Sequence, residues 1–130
     1  VSAPEDDALD SLDRLVANDP RYPRDAYVFV FQALEFVVGR LEKRRHVSGR
    51  ELLEGIREFA LERYGLMTKT VFAQWGITRT EDFGEIVFRL VGAGLLSKTE
   101  EDSIDDFGGV YDFEEAFVRD YPWERARWEI

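Results

Sequence analysis

Residues 24–44 carry Tyr27, Val30, Phe31, Leu34, Val37, Val38 and Leu41 at helical spacing, and Val28, Phe29 and Phe36 spread the apolar surface nearly all round. A helix that is apolar on almost every side is stable only when other elements cover it. The chain must therefore wrap this segment with several partners. A strand at "AYVFVF" is the competing reading, because β-branched and aromatic residues crowd there. Continuation of the period to Leu41 favours the helix.

The rest of the chain supplies the partners. Residues 1–18 are acidic and place Leu9, Leu12, Leu15 and Val16 on one helical face. "NDPRYPRD" at 18–25 is a breaker, and Pro23 suits the first turn of the helix that follows. Ser48 and Glu51 have the spacing of a capping box, in which the hydroxyl and the carboxylate each accept from the other residue's amide. The helix they open turns Leu52, Leu53, Ile56, Phe59, Ala60 and Tyr64 inward and stops at Gly65. A shorter helix at 67–75 buries Met67, Val71, Phe72 and Trp75. Gly76 breaks it, Ile77 plugs the turn, and Thr80 caps a third helix. That helix buries Phe83, Ile86, Val87, Leu90 and Val91 and ends at Gly94. "LLSK" reads as a short strand. Asp112 and Glu115 open a last short helix with Ala116, Phe117 and Val118.

Composition narrows the function classes. With 130 residues, 45% apolar and 34% charged, the chain suits one soluble domain with one core. It has no cysteine, which removes thiol catalysis, disulfides and cysteine-bound metal and fits a reducing cytoplasm. "VSAPEDDALD" lacks the basic and apolar regions of a signal peptide. The most apolar window, 26–38, is too short for a bilayer and is interrupted by Gln32 and Glu35. A net charge of -10 repels nucleic acid and anionic membranes.

The region 51–98, through "FAQWGITRTEDF" and "LVGAGLLSK", resembles a winged-helix domain. That resemblance implies a helix-turn-helix whose third helix is followed by a hairpin wing, here at "TEEDSIDDFGGVYDF". The charge of this surface departs from the family pattern. The third helix sets Glu81, Asp82 and Glu85 against Arg89. The wing region 99–114 holds Glu100, Glu101, Asp102, Asp105, Asp106, Asp112 and Glu114 with no Lys or Arg. DNA binders gain affinity by neutralising phosphates, so a duplex is disfavoured as a partner. A second resemblance covers most of 19–118. "DPRYPRDAYVFVFQALEF", "RRHVSGRELLEGIREFALERYG" and "GITRTEDFGEIVFRLVGAGLLSKTEEDSIDDF" are similar to a family of short bacterial proteins of uncharacterised function. It implies a bacterial cytoplasmic protein and assigns no activity, cofactor or residue role.

The fold expected is mainly α, a multi-helix single domain over 1–130. Residues 1–18 form an acidic N-terminal helix, and 19–98 a helical core with a winged-helix-like tri-helical centre. Residues 99–112 form an acidic wing, either a short β-hairpin or a loop, and 113–130 a C-terminal helix and aromatic tail.

Chemistry-bearing motifs are few. His46 is the sole histidine and sits among cations, which reads as a solvated loop residue. The acidic run at 100–106 fails calcium-loop spacing, since Phe107 falls where glycine is required. Glu81 and Glu85 lie one helical turn apart, as carboxylates on solvated helices routinely do. No catalytic, cofactor or metal residue is assigned. Two interaction signals remain. Arg40, Lys43, Arg44, Arg45 and Arg50 stand against Glu42, a +4 island in an acidic chain. Helix-dipole chemistry accounts for one or two of these cations. Trp123 and Trp128 lie on a polar tail, where they either dock on the core or mark an interface. The reading that follows is a non-catalytic protein-protein interaction or regulatory module that binds a protein partner or itself, with no membrane. The alternative is an unconventional nucleic-acid-binding winged helix that uses 40–50, and the third is an enzyme of unknown class.

Overall fold

The computed structural model describes residues 1–2 and 9–119. Five α-helices follow in order: α1 (Leu9–Asn18), α2 (Arg24–Val38), α3 (Gly49–Tyr64), α4 (Thr68–Gln74) and α5 (Thr80–Gly92). Two 3-10 turns, at Gly65–Met67 and Ile104–Phe107, and a π-helical turn at Glu115–Arg119 complete the described elements. The buried apolar residues form one cluster, and the chain is a mainly helical single domain.

The central segment is the helix its apolar period requires. Ala26, Tyr27, Phe29, Val30, Ala33, Leu34, Val37 and Val38 of α2 are all buried. It begins at Arg24 as expected, with Pro23 at the N-cap position rather than in the first turn. It ends at Val38, not Arg44. Gly39 caps it, and Arg40 and Leu41 make tighter bonds to the carbonyls of Val37 and Val38. This turn carries the helical direction one step on and leaves Leu41 half-buried, which is why the apolar period overran the helix.

α2 lies close along α3. A Cβ at Gly55 would collide with the Val37 side chain, so only glycine lets the two backbones approach this far. The capping box expected at the start of α3 is present. Glu51 N donates to Ser48 Oγ and Ser48 N to Glu51 Oε1, both at 3.0 Å. Beyond α3 the chain makes a 3-10 turn over Gly65–Met67. This turn rotates Met67 outward, to 56% exposure, where burial was expected. Phe72 of α4 is the hub of an aromatic cluster, with ring centroids 5.4 Å from Phe29, 5.1 Å from Phe83, 5.7 Å from Phe113 and 5.5 Å from Phe117. Such edge-to-face and tilted pairs add to the stabilisation from burial alone.

The segment after α5 differs most from the winged-helix pattern. Leu95 N and Leu96 N both donate to Leu90 O, which turns two consecutive leucines inward. A strand with one solvated face would alternate instead. Among the described residues the pairing here is a single antiparallel bridge between Ser2 and Ser97. Among the described residues there is no hairpin, and its place is taken by an acidic turn that folds back on the core. Phe107, 1% exposed, sits between two helices at paired glycines. A Cβ at Gly49 of α3 would lie 2.8 Å from its ring, and one at Gly84 of α5 would lie 2.9 Å from its own Cβ. Thr80 Oγ1 donates to Phe107 O at 2.7 Å and accepts from Val110 N at 3.2 Å. Tyr111 then donates to Leu53 O at 2.7 Å, and Asp112 caps the amide of Glu115.

Phe107→Ala should lower unfolding free energy by about 3–5 kcal/mol, the range for emptying a buried phenylalanine site. Gly84→Ala should also destabilise, although alanine favours a helix by about 1 kcal/mol over glycine. Urea unfolding of both variants checks the seat. A stabilised Gly84→Ala, or a Phe107→Ala loss below about 1 kcal/mol, would mean that the acidic turn is not docked.

Candidate functional site

Two surfaces compete for the role, and burial decides between them. The helix-turn-helix position is covered. No residue from 80 to 91 along α5 is exposed, and the acidic turn and the 110–117 segment lie against its first turns. Asp82, expected to face outward with Glu81, Glu85 and Arg89, is 2% exposed. Its carboxylate accepts from the amides of Thr78 (2.9 Å) and Arg79 (3.3 Å) and from the Tyr22 hydroxyl (2.8 Å), and Arg21 lies 3.5 Å away. Asp82 thus secures the turn rather than meeting a ligand. Arg79 occupies the N-cap position, one residue before the expected Thr80, because the Thr80 hydroxyl is committed to Phe107 and Val110. The helix ends at Gly92, two residues before Gly94.

Tyr22 belongs to the same locked cluster. Its hydroxyl also reaches Glu85, and the guanidinium groups of Arg21 and Arg89 lie 4.3 and 5.2 Å from its ring centre. Burial first, then hydrogen bonds to Glu85 and Asp82, raise the pKa of this phenol. Arg89 is held by Asp19 at 2.6 Å, and that guanidinium lowers the pKa of the Asp19 carboxyl. An α5 face built from these contacts has nothing free to read a base edge.

The second surface is open. The loop after α2 and the first turns of α3 enclose a groove of about 450 Å³. Val37, Leu41 and Gly55 supply its apolar lining, and Arg40, Arg50, Glu51, Glu54 and Glu58 its charged rim. Of the +4 island expected from sequence, Arg40 and Arg50 line this groove, and most of the island is already partnered. Arg40 pairs with Glu58 and lies over the Phe36 ring, 4.2 Å from its centre. Arg44 reaches Glu35 at 3.2 Å, and Arg45 makes a forked pair with Glu51 at 2.8 and 3.1 Å. Lys43 and Arg50 have no carboxylate partner among the described residues and are exposed. His46 is exposed in the same loop.

The acidic segment is depleted in the same way. Asp102 accepts from Thr99 N, Asp106 from Ser103 N, Asp112 from Glu115 N, and Glu114 pairs with Lys69. Glu100, Glu101 and Asp105 keep side chains without a partner among the described residues. Sequence counting found both charge clusters and could not find these internal pairings, since Arg40 and Glu58 are far apart along the chain. It also missed the groove, whose only local signal is Gly55 in the middle of a helix. Among the described residues no cluster of three His, Asp or Glu side chains could hold a metal, and no helix is long and apolar enough to cross a membrane. Trp123 and Trp128 lie outside the described residues.

The groove mouth is sensitive to acid. The Arg45 guanidinium first, and the Ser48 amide second, hold the Glu51 carboxyl down to about 2 against an ordinary 4.5. A carboxyl lowered by folding stabilises the fold above its unfolded value and loses that contribution as pH falls through the folded one. The stability difference between the parent and Glu51→Gln should be constant above pH 5.5 and shrink between pH 4.5 and about 2. Exposure of the pair keeps the Arg45 share of it small. Tyr22 acts in the opposite sense. Its raised value makes its contribution complete below pH 10 and lost as alkali ionises the phenol. Denaturation curves across pH check both, and a Glu51→Gln difference unchanged down to pH 2 would contradict the first.

No protein-family profile, no curated protein and no solved structure matches this chain.

Proposed function

We propose that the chain is a non-catalytic protein-binding module whose contact surface is the groove between the α2–α3 loop and α3. One observation carries this reading. An apolar lining of Val37 and Leu41 lies beside Arg50, a cation without an internal partner among the described residues, while no residue from 80 to 91 of α5 is exposed. Such a site suits a segment with an apolar anchor next to carboxylates, because complementary charge fixes register and speeds encounter. Glu54 on the α3 wall disfavours acid at the far end and so orients the bound segment. The resemblance to short bacterial proteins and the cysteine-free composition support a bacterial cytoplasmic setting.

Nucleic-acid binding through 40–50 finds less support. Phosphate contact needs cations that are free to replace counterions. Three of the five in this island are spent on Glu35, Glu51 and Glu58.

A peptide array that pairs Leu, Ile or Phe with Asp and Glu should bind the chain, with basic–apolar peptides as controls. Binding should be lost in Arg50→Glu and in Leu41→Ser. Labelled duplex DNA and single-stranded RNA should bind no more tightly than about 10⁻⁴–10⁻⁶ M at physiological salt. Submicromolar nucleic-acid binding without peptide capture would replace this reading with the other.

A further inference from the structure

The groove and the acidic turn flank the same helix end. Ser48, Arg50 and Glu51 line the groove, whereas a Cβ at Gly49 between them would lie 3.1 Å from the Asp106 Cβ on the opposite side. The α2–α3 loop and the first turn of α3 thus carry two unpaired cations, Lys43 and Arg50, and the acidic turn packed beside that helix end carries three unpaired acids, Glu100, Glu101 and Asp105. The acidic turn also carries Ile104, 46% exposed and one of three large apolar side chains left in solvent among the described residues. Leu66 and Met67, the other two, lie at the α3–α4 corner and have no acids beside them in sequence.

We propose that this helix end and the acidic turn bind a second copy of the chain, each copy seating Ile104 in the other's groove. The proposal rests on the reading of the groove as a protein-binding site and names its occupant. Ile104 is an apolar anchor with carboxylates on either side, which is the chemistry that the lining Val37 and Leu41 and the rim Arg50 accept. Within one copy Ile104 does not line the groove. Adjacent patches of opposite sign are self-complementary. A two-fold axis between two copies sets each acidic turn against the other's Lys43 and Arg50 and closes the assembly as a pair. Glu54, at the α3 wall, repels an acid that enters too deep, and so favours the register with Glu100, Glu101 and Asp105 at the Arg50 end.

Sedimentation velocity on the whole chain tests this with charge-swapped variants. The parent should be a dimer at low salt, and its dissociation constant should rise with salt as the charges are screened. Lys43→Glu with Arg50→Glu makes both patches acidic, and Glu100→Lys with Glu101→Lys makes both basic. Each variant alone should dimerise at least about tenfold more weakly than the parent. An equimolar mixture of the two should recover a dimer, because each copy then offers what the other lacks. Ile104→Ser should weaken association without changing the circular dichroism spectrum, since the residue is exposed and outside the core. A parent that stays monomeric at low salt, variants that dimerise like the parent, or a mixture that stays monomeric would each overturn the proposal. Acidic–apolar peptides that still bind a monomeric parent would remove the second copy and leave the protein-binding site. Loss of peptide binding as well would remove both.

Discussion

The seating of Phe107 between Gly49 and Gly84 governs what this fold can expose. Two helices each give up a Cβ at the place where one ring arrives, and Thr80 fixes the backbone of that ring from both sides. A fully buried phenylalanine stabilises by about 1.5–3 kcal/mol, enough to hold a short turn that has no other apolar residue in the core. Once the turn is held, Val110, Tyr111, Phe113, Ala116 and Phe117 are carried over the helices, and Phe113 and Phe117 join the rings around Phe72. The helix that would enter a DNA groove in a winged-helix protein is instead covered along its first turns and leaves no residue from 80 to 91 exposed.

That covering also settles where charge remains available. The chain has 27 acidic and 17 basic side chains, yet its surface charge is set by which of them find internal partners. Acids at the turns mostly cap their own backbone amides, as Asp102, Asp106 and Asp112 do. Cations in the α2–α3 loop mostly reach carboxylates on α2 and α3. What is left is a small dipolar face around the first turn of α3. Exposed pairs of this kind add little stability, so their arrangement bears on encounter and register rather than on folding.

Much of the helical scaffold was legible in the sequence. The 3.6 period marked α2, the Ser48–Glu51 spacing marked the start of α3, and Gly65, with φ of 55°, marked its end. Local signals failed where long-range contacts decide. The period continued to Leu41 because the turn after Gly39 keeps that side chain on the inner face. Asp82 looked like an exposed helix carboxylate because Tyr22, its partner, lies 60 residues earlier. "LLSK" looked like a strand because two leucines are apolar in either state. The basic island was visible as composition, but the groove beside it depends on Gly55 meeting Val37 across two helices. No single stretch encodes that approach.

The central claim is that the acidic turn is packed on α5 through Phe107. A NOESY spectrum of the isotopically labelled chain tests it most directly. The account predicts cross-peaks from the Phe107 ring to the Hα protons of both Gly49 and Gly84, with those protons shifted by the ring current. Absence of both sets of cross-peaks, with random-coil shifts through 103–109, would contradict it and return the face of α5 to solvent.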